Sequence, residues 1–127
     1  MSPRMRYYQG HAAADGIGGT GWFLGQFVPE ALGLRHQTHV ELKWGVHPRG
    51  ECRPNGMEAN GVATSVSILL QGEMHLTFAI DGGGVSDVFL RRAGDYVVFG
   101  PDAVHGWTAL SDAIVLTVRF PSVDRRS

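Results

Sequence analysis

Apolar residues along this chain recur at every second position far more often than at every third or fourth. That is the period of β-strands, whose side chains alternate between two faces. Segments 39–47, 62–71, 73–80, 85–91, 95–99, 104–109 and 113–120 read as strands. Turn chemistry separates them: Pro48-Arg49-Gly50, Pro54-Asn55-Gly56, Asp81-Gly82-Gly83-Gly84, Gly100-Pro101-Asp102 and Ser111-Asp112. A short helical turn is expected only over 29–34. Short strands at nearly regular spacing predict an all-β protein, an antiparallel sandwich or barrel.

The first 35 residues differ in character. Glycine and alanine dominate 10–25, which end in the apolar Trp22-Phe23-Leu24. A loose arm is expected here, laying its aromatic pair on the barrel or on a partner subunit. Gly16-Ile17-Gly18-Gly19-Thr20-Gly21 matches G-x-G-x-x-G literally. That motif works only between a buried strand and a helix N-terminus that holds a pyrophosphate. Neither context exists, so the match is set aside. The division is an arm over 1–35, a barrel over 36–122 and a tail over 123–127.

Composition narrows the function classes. With 127 residues, 43% hydrophobic and 18% charged, the chain suits one domain with one core. Its 11 basic and 12 acidic residues are dispersed and give a net charge of −1, so no nucleic-acid partner is expected. No run approaches the roughly 18 apolar residues of a membrane span, and Met1 to Arg6 lack a signal-peptide core. A single cysteine, Cys52, excludes an internal disulfide, and a cytoplasmic setting is expected. Arg53 beside it favours a thiolate, though a lone turn cysteine is usually inert.

The most distinctive segment runs from Gly94 to Trp107: a strand, a Gly100-Pro101-Asp102 turn, and a second strand carrying His105. The spacing Gly94, Gly100, Asp102, His105, Ala109 resembles the second signature of the cupin superfamily, G-x5-P-x-G-x2-H-x3-N. Three residue types differ: Gly100 stands for the proline, Asp102 for the glycine and Ala109 for the asparagine. Gly72, in Leu69-Leu70-Gln71-Gly72-Glu73, resembles the last glycine of the other signature, G-x5-H-x-H-x3,4-E-x6-G. Counting back from it puts Ser65 at the glutamate position and Glu58 and Asn60 near the two histidine positions. Residues 39–120 are similar to short single-domain bacterial cupins, some of which carry a "signal peptidase I" label. Neither a membrane anchor nor a Ser/Lys dyad supports that label here.

The resemblance implies a jelly-roll (double-stranded β-helix) barrel that binds a small molecule in its mouth, and a homodimer. It implies a site around His105. A metal such as Fe, Mn, Zn or Ni would need three or four N/O ligands. The candidates are His105, His47, Glu58 and His75, and no cofactor is certain.

The strand over 39–47 leaves a choice of face. Glu41, Lys43, Gly45 and His47 share one parity, and Leu42, Trp44 and Val46 the other. A solvated polar face is the commoner arrangement. The alternative is a polar lumen that brings His47 and Glu41 toward His105 as catalytic groups. Trp107, Tyr96 and Trp44 are candidates for stacking on a ligand, and Ser65, Ser67, Arg53 and Lys43 for orienting it. A Ser65 or Ser67, His105, Asp102 triad lacks the G-x-S-x-G elbow and is disfavoured.

Histidine exchanges protons near neutrality. The expectation is therefore an enzyme of acid/base type (isomerase, cyclase or lyase) with His105 central. Two alternatives stand beside it: a non-catalytic small-molecule-binding cupin, and a metal-dependent oxygenase or lyase with an atypical ligand set.

Overall fold

In chain order the strands are β1 (Trp22–Leu24), β2 (Glu41–His47), β3 (Thr64–Gln71) and β4 (Met74–Ala79), followed by β5 (Val85–Leu90), β6 (Tyr96–Phe99), β7 (His105–Ala109) and β8 (Ala113–Phe120). The computed structural model describes residues 6–54, 56–59 and 61–122; the expected tail, 123–127, lies outside them. One sheet has the order β1-β2-β8-β3-β6, the other β5-β4-β7, and every pairing is antiparallel. Residues 50–53 and Glu58 extend the smaller sheet beside β7. Arg53 N–H donates to the Trp107 carbonyl at 3.0 Å, and Glu58 and His105 exchange backbone bonds at 2.9 and 3.0 Å.

The turns are specified locally. Gly72 joins β3 to β4 at φ 84°, and a Cβ there would overlap the Asp112 carbonyl oxygen, so only glycine fits. Between β5 and β6 the Asp95 carboxylate accepts from the Arg91 and Arg92 amides at 2.9 and 3.0 Å. Those two backbone bonds hold its pKa below the usual carboxylate value.

Register sets the interior. Glu41 faces Arg119, Lys43 faces Thr117, Gly45 faces Val115 and His47 faces Ala113 across β2 and β8. On β3, Ser65 pairs with Arg119 and Ser67 with Thr117. Side chains at these positions point inward. A core of Leu69, Met74, Leu76, Leu90, Ala109, Ala113 and Val115 fills one end of the barrel. Each large aliphatic member contributes about 1.5–3 kcal/mol by leaving water.

The arm carries little regular structure but is tied down. One helical turn, α1 (Ala12–Asp15), begins at His11, whose Nδ1 accepts from the Ala13 amide at 3.2 Å. β1 then pairs with β2. Arg35 spans the arm, donating to the carbonyls of Phe23 and Asp15 at 3.2 and 2.8 Å. Ser122 Oγ accepts from the Gln26 amide at 2.9 Å, linking the arm to the end of the barrel. No helix among the described residues is long and apolar enough to cross a membrane.

Candidate functional site

The polar parity of β2 faces inward. Lys43 and His47 line a cavity, Glu41 is buried at 1% exposure, and Val46, on the other parity, is exposed. The solvated-face reading of this strand is therefore corrected. The arm runs alongside this strand, its Gly21 carbonyl accepting from the Trp44 amide at 2.9 Å.

The cavity measures about 70 Å³. Its polar wall consists of Lys43, His47, Arg53, Ser65 and Ser67, with His105, Thr117 and Arg119. Its apolar wall includes Leu76, Leu90, Phe99 and Trp107. Pockets for drug-sized ligands measure roughly 300–1,000 Å³, so the enclosed part of this one is small.

His105 opens β7 at 4% exposure, with its ring 4.5 Å from Phe99 and 5.9 Å from Phe78. Its Nδ1 lies 3.0 Å from the Ala103 carbonyl oxygen. A carbonyl only accepts, so Nδ1 carries the hydrogen. Burial lowers the pKa of this imidazole; the bond to Ala103 opposes that, and the Arg53 and Arg119 charges add to it. The ring is thus held neutral, with Nε2 as its proton acceptor.

His47 is organised differently. Its Nδ1 meets Glu51 Oε1 at 2.5 Å, and its ring lies 4.5 Å from Trp107. Gly45 makes room for it, since a Cβ at that position would stand 2.6 Å from His47 Nε2.

The cations come from three segments. Arg53, on the segment 50–53 beside β7, bonds Glu58 at 3.2 Å and the Gly56 carbonyl at 3.2 Å. Arg119, on β8, stands 3.9 Å from Glu41, which in turn accepts from Ser122 Oγ at 2.8 Å. Trp22 of the arm covers two of them: Arg119 Cζ is 4.7 Å and Lys43 Nζ 5.8 Å from its ring centroid. Burial, then the neighbouring Arg119 charge, lowers the Lys43 pKa, and the Glu51 charge opposes them.

The structure brings together His105, His47, Trp107, Ser65, Ser67, Arg53 and Lys43. It does not bring in the other candidates. Tyr96 is 65% exposed, because Val97 and Phe99 take the inward parity of β6. Trp44 sits between inward Lys43 and Gly45, so it points outward, its ring 6.4 Å from that of His11. His75, between core residues Met74 and Leu76, turns outward to Asp87 at 2.9 Å and stacks on Phe89. Glu58 stays on the rim with its side chain 54% exposed, held by Arg53. Glu41 is buried behind the lining, engaged with Ser122 and Arg119.

Four contributors were missed: Arg119, Thr117, Glu51 and Trp22. The first two carried a signal. The odd positions of β8 read Ala113, Val115, Thr117, Arg119 against an apolar even parity, the same inverted pattern as β2.

The donor set does not fit a divalent metal. Two imidazoles face three cations and three hydroxyls on the lining, and no group of three His, Cys, Asp or Glu side chains converges among the described residues. The proposed ligand set of His105, His47, Glu58 and His75 is dispersed for the parity and ion-pair reasons just given.

No family model and no curated protein sequence matches the chain. Solved structures do. KdgF from Halomonas sp. superposes with a TM-score of 0.58 at 20% identity, over 72% of this chain and 78% of that one. A cupin superfamily protein from Desulfitobacterium hafniense gives 0.54 at 19% identity, over 68% and 69%. An oxalate oxidase gives 0.55 at 18% identity over 66% of this chain, which spans only 42% of that longer one. At such identities the likeness is one of fold: two antiparallel sheets closed as a single-domain cupin jelly roll.

Proposed function

We propose that this cupin-fold chain is a small-molecule enzyme working by proton transfer, of isomerase, cyclase or lyase type, with His105 as the base. The observation that carries the reading is the state of that ring. A buried imidazole, kept neutral and donating Nδ1–H to Ala103, keeps Nε2 ready to accept a proton. In the step proposed, Nε2 takes a proton from the carbon next to a carbonyl. The C–H electron pair passes into the carbonyl, and the resulting enolate oxygen is stabilised by the Lys43 and Arg119 cations. His47, oriented by Glu51, is the candidate second proton carrier. Ser65, Ser67 and Thr117 supply hydrogen bonds that orient the substrate, and Trp107 packs on it.

A non-catalytic binding cupin is the second reading, favoured by the small enclosed volume of the cavity. The homodimer belongs to the same proposal, supported by exposed Val46, Tyr96, Val98 and Phe120 on the outer face of the larger sheet.

The test is deuterium uptake. The protein is incubated in D2O with short ketones, aldehydes and 2-oxo acids, and carbon-bound deuterium is read by NMR. Wild type is expected to catalyse exchange of at least one of them, and His105→Asn to slow it by about 10²–10⁴-fold. Asparagine keeps a donor for Ala103 while removing Nε2. Equal exchange by the variant would sink the catalytic role, and no exchange by wild type would leave the binding reading.

A further inference from the structure

We infer that the cavity takes a small carboxylate anion, its head against Lys43 and its short carbon body against Phe99 and Trp107. This deepens the reading above and rests on the same cavity being the site.

The charges argue it first. Lys43, Arg53 and Arg119 line the cavity, and among the described residues no carboxylate does. The nearby carboxylates are engaged off the lining: Glu41 behind it with Ser122 and Arg119, Glu58 on the rim with Arg53, and Glu51 with His47. Of these, Glu51 acts on Lys43 through its charge, but it is bonded to His47 and lies off the lining. Its ammonium lies beside the guanidinium of Arg119, and both lie near one indole. A cation–π contact holds an ammonium but does not neutralise it. Burial and the Arg119 charge outweigh the help from Glu51, so holding this ammonium in the cavity is costly, and the cost is recovered when an anion arrives.

The rest of the wall selects the anion. Ser67 and Thr117 hydroxyls lie on the lining with Lys43, so a carboxylate can be both charge-paired and hydrogen-bonded. The facing wall is aromatic and aliphatic, which suits a carbon body and gives nothing to the fully polar surface of a phosphate. The volume of about 70 Å³ suits a two- to four-carbon acid.

Titration calorimetry on the intact protein tests this with lactate and pyruvate, their neutral isostere lactamide, and inorganic phosphate. Lactate or pyruvate is expected to bind at least about tenfold more tightly than lactamide or phosphate, the scale of one charge-assisted hydrogen bond. Lys43→Gln is expected to abolish that preference. Arg53→Gln serves as a second variant if the first does not fold, with a loss in the same direction. Lactamide binding as tightly as lactate, phosphate binding best, no carboxylate binding, or a folded Lys43→Gln that keeps full preference would each overturn the inference. His75→Gln, on the outer face of β4 and paired with Asp87, removes nothing from the lining and is expected to keep carboxylate affinity. Carboxylate binding without any deuterium exchange therefore removes the catalytic reading and leaves this one; exchange of neutral ketones without carboxylate binding does the reverse.

Discussion

The two ends of this barrel interior are built on the same strands and carry opposite chemistry. β3 runs inward as Ser65, Ser67, then Leu69; β8 runs inward as Ala113, Val115, then Thr117 and Arg119. β7 begins at His105 and ends at Ala109. At one end aliphatic side chains exclude water and hold the sheets together. At the other, hydroxyls, imidazoles and cations enclose a space that the core leaves open. The lesson is a division of labour along each strand: the apolar end supplies the free energy, and the polar end draws on it to keep costly groups in fixed positions.

That division can be broken from either side. Leu69→Ala should have the largest effect. The side chain is fully buried in the apolar cluster, and its loss should destabilise the fold by about 2–5 kcal/mol in urea unfolding. A loss well under 1 kcal/mol would mean that the apolar end does not anchor the barrel.

His105→Asn should act more mildly and in a pH-dependent way. In the unfolded chain this histidine titrates near the usual value of about 6.5. In the folded chain its pKa is lowered by burial. Between those values the unfolded state binds more protons. Stability therefore rises with pH across the window below about 6.5 and is lost as pH falls through it. Urea unfolding from pH 5 to 8 should show a shallower pH slope for the variant than for wild type; parallel slopes would contradict a buried neutral ring.

The smallest effect is expected outside. His75→Gln breaks a half-exposed pair with Asp87, and should change stability by less than about 1 kcal/mol. Lactate affinity should not move. A drop in that affinity would place His75 in contact with the interior and undo the distinction between the two faces of β4.

Much of this fold was legible before any coordinates. Alternation fixed strand identity, and the turns at Gly72 and Gly100-Pro101-Asp102 marked where strands end. Alternation also says which residues share a face, as Glu41, Lys43 and His47 do, but not which face is inside. Polar residues on one parity ordinarily meet water, and here they meet a cavity while Leu42 and Trp44 lie toward the outside. The convergence of Lys43 with Thr117, and of Glu41 with Arg119, is a matter of register between strands about 70 residues apart. Arg119, near the end of β8, was not among the candidates. His75 and Tyr96 were misjudged because a histidine or tyrosine on a strand carries no mark of its side; only neighbours such as Met74 and Leu76, or Val97 and Phe99, supply one.

The indole of Trp22 over Lys43 and Arg119 has an optical consequence. Indole emission responds to nearby charge, and two cations beside one ring shift its excited state in a fixed sense. An anion reaching those cations changes that field without touching the ring. The arm thus gives the protein an intrinsic fluorescence reporter of what enters its barrel, separable from Trp44 and Trp107 by replacing each of the three in turn with phenylalanine.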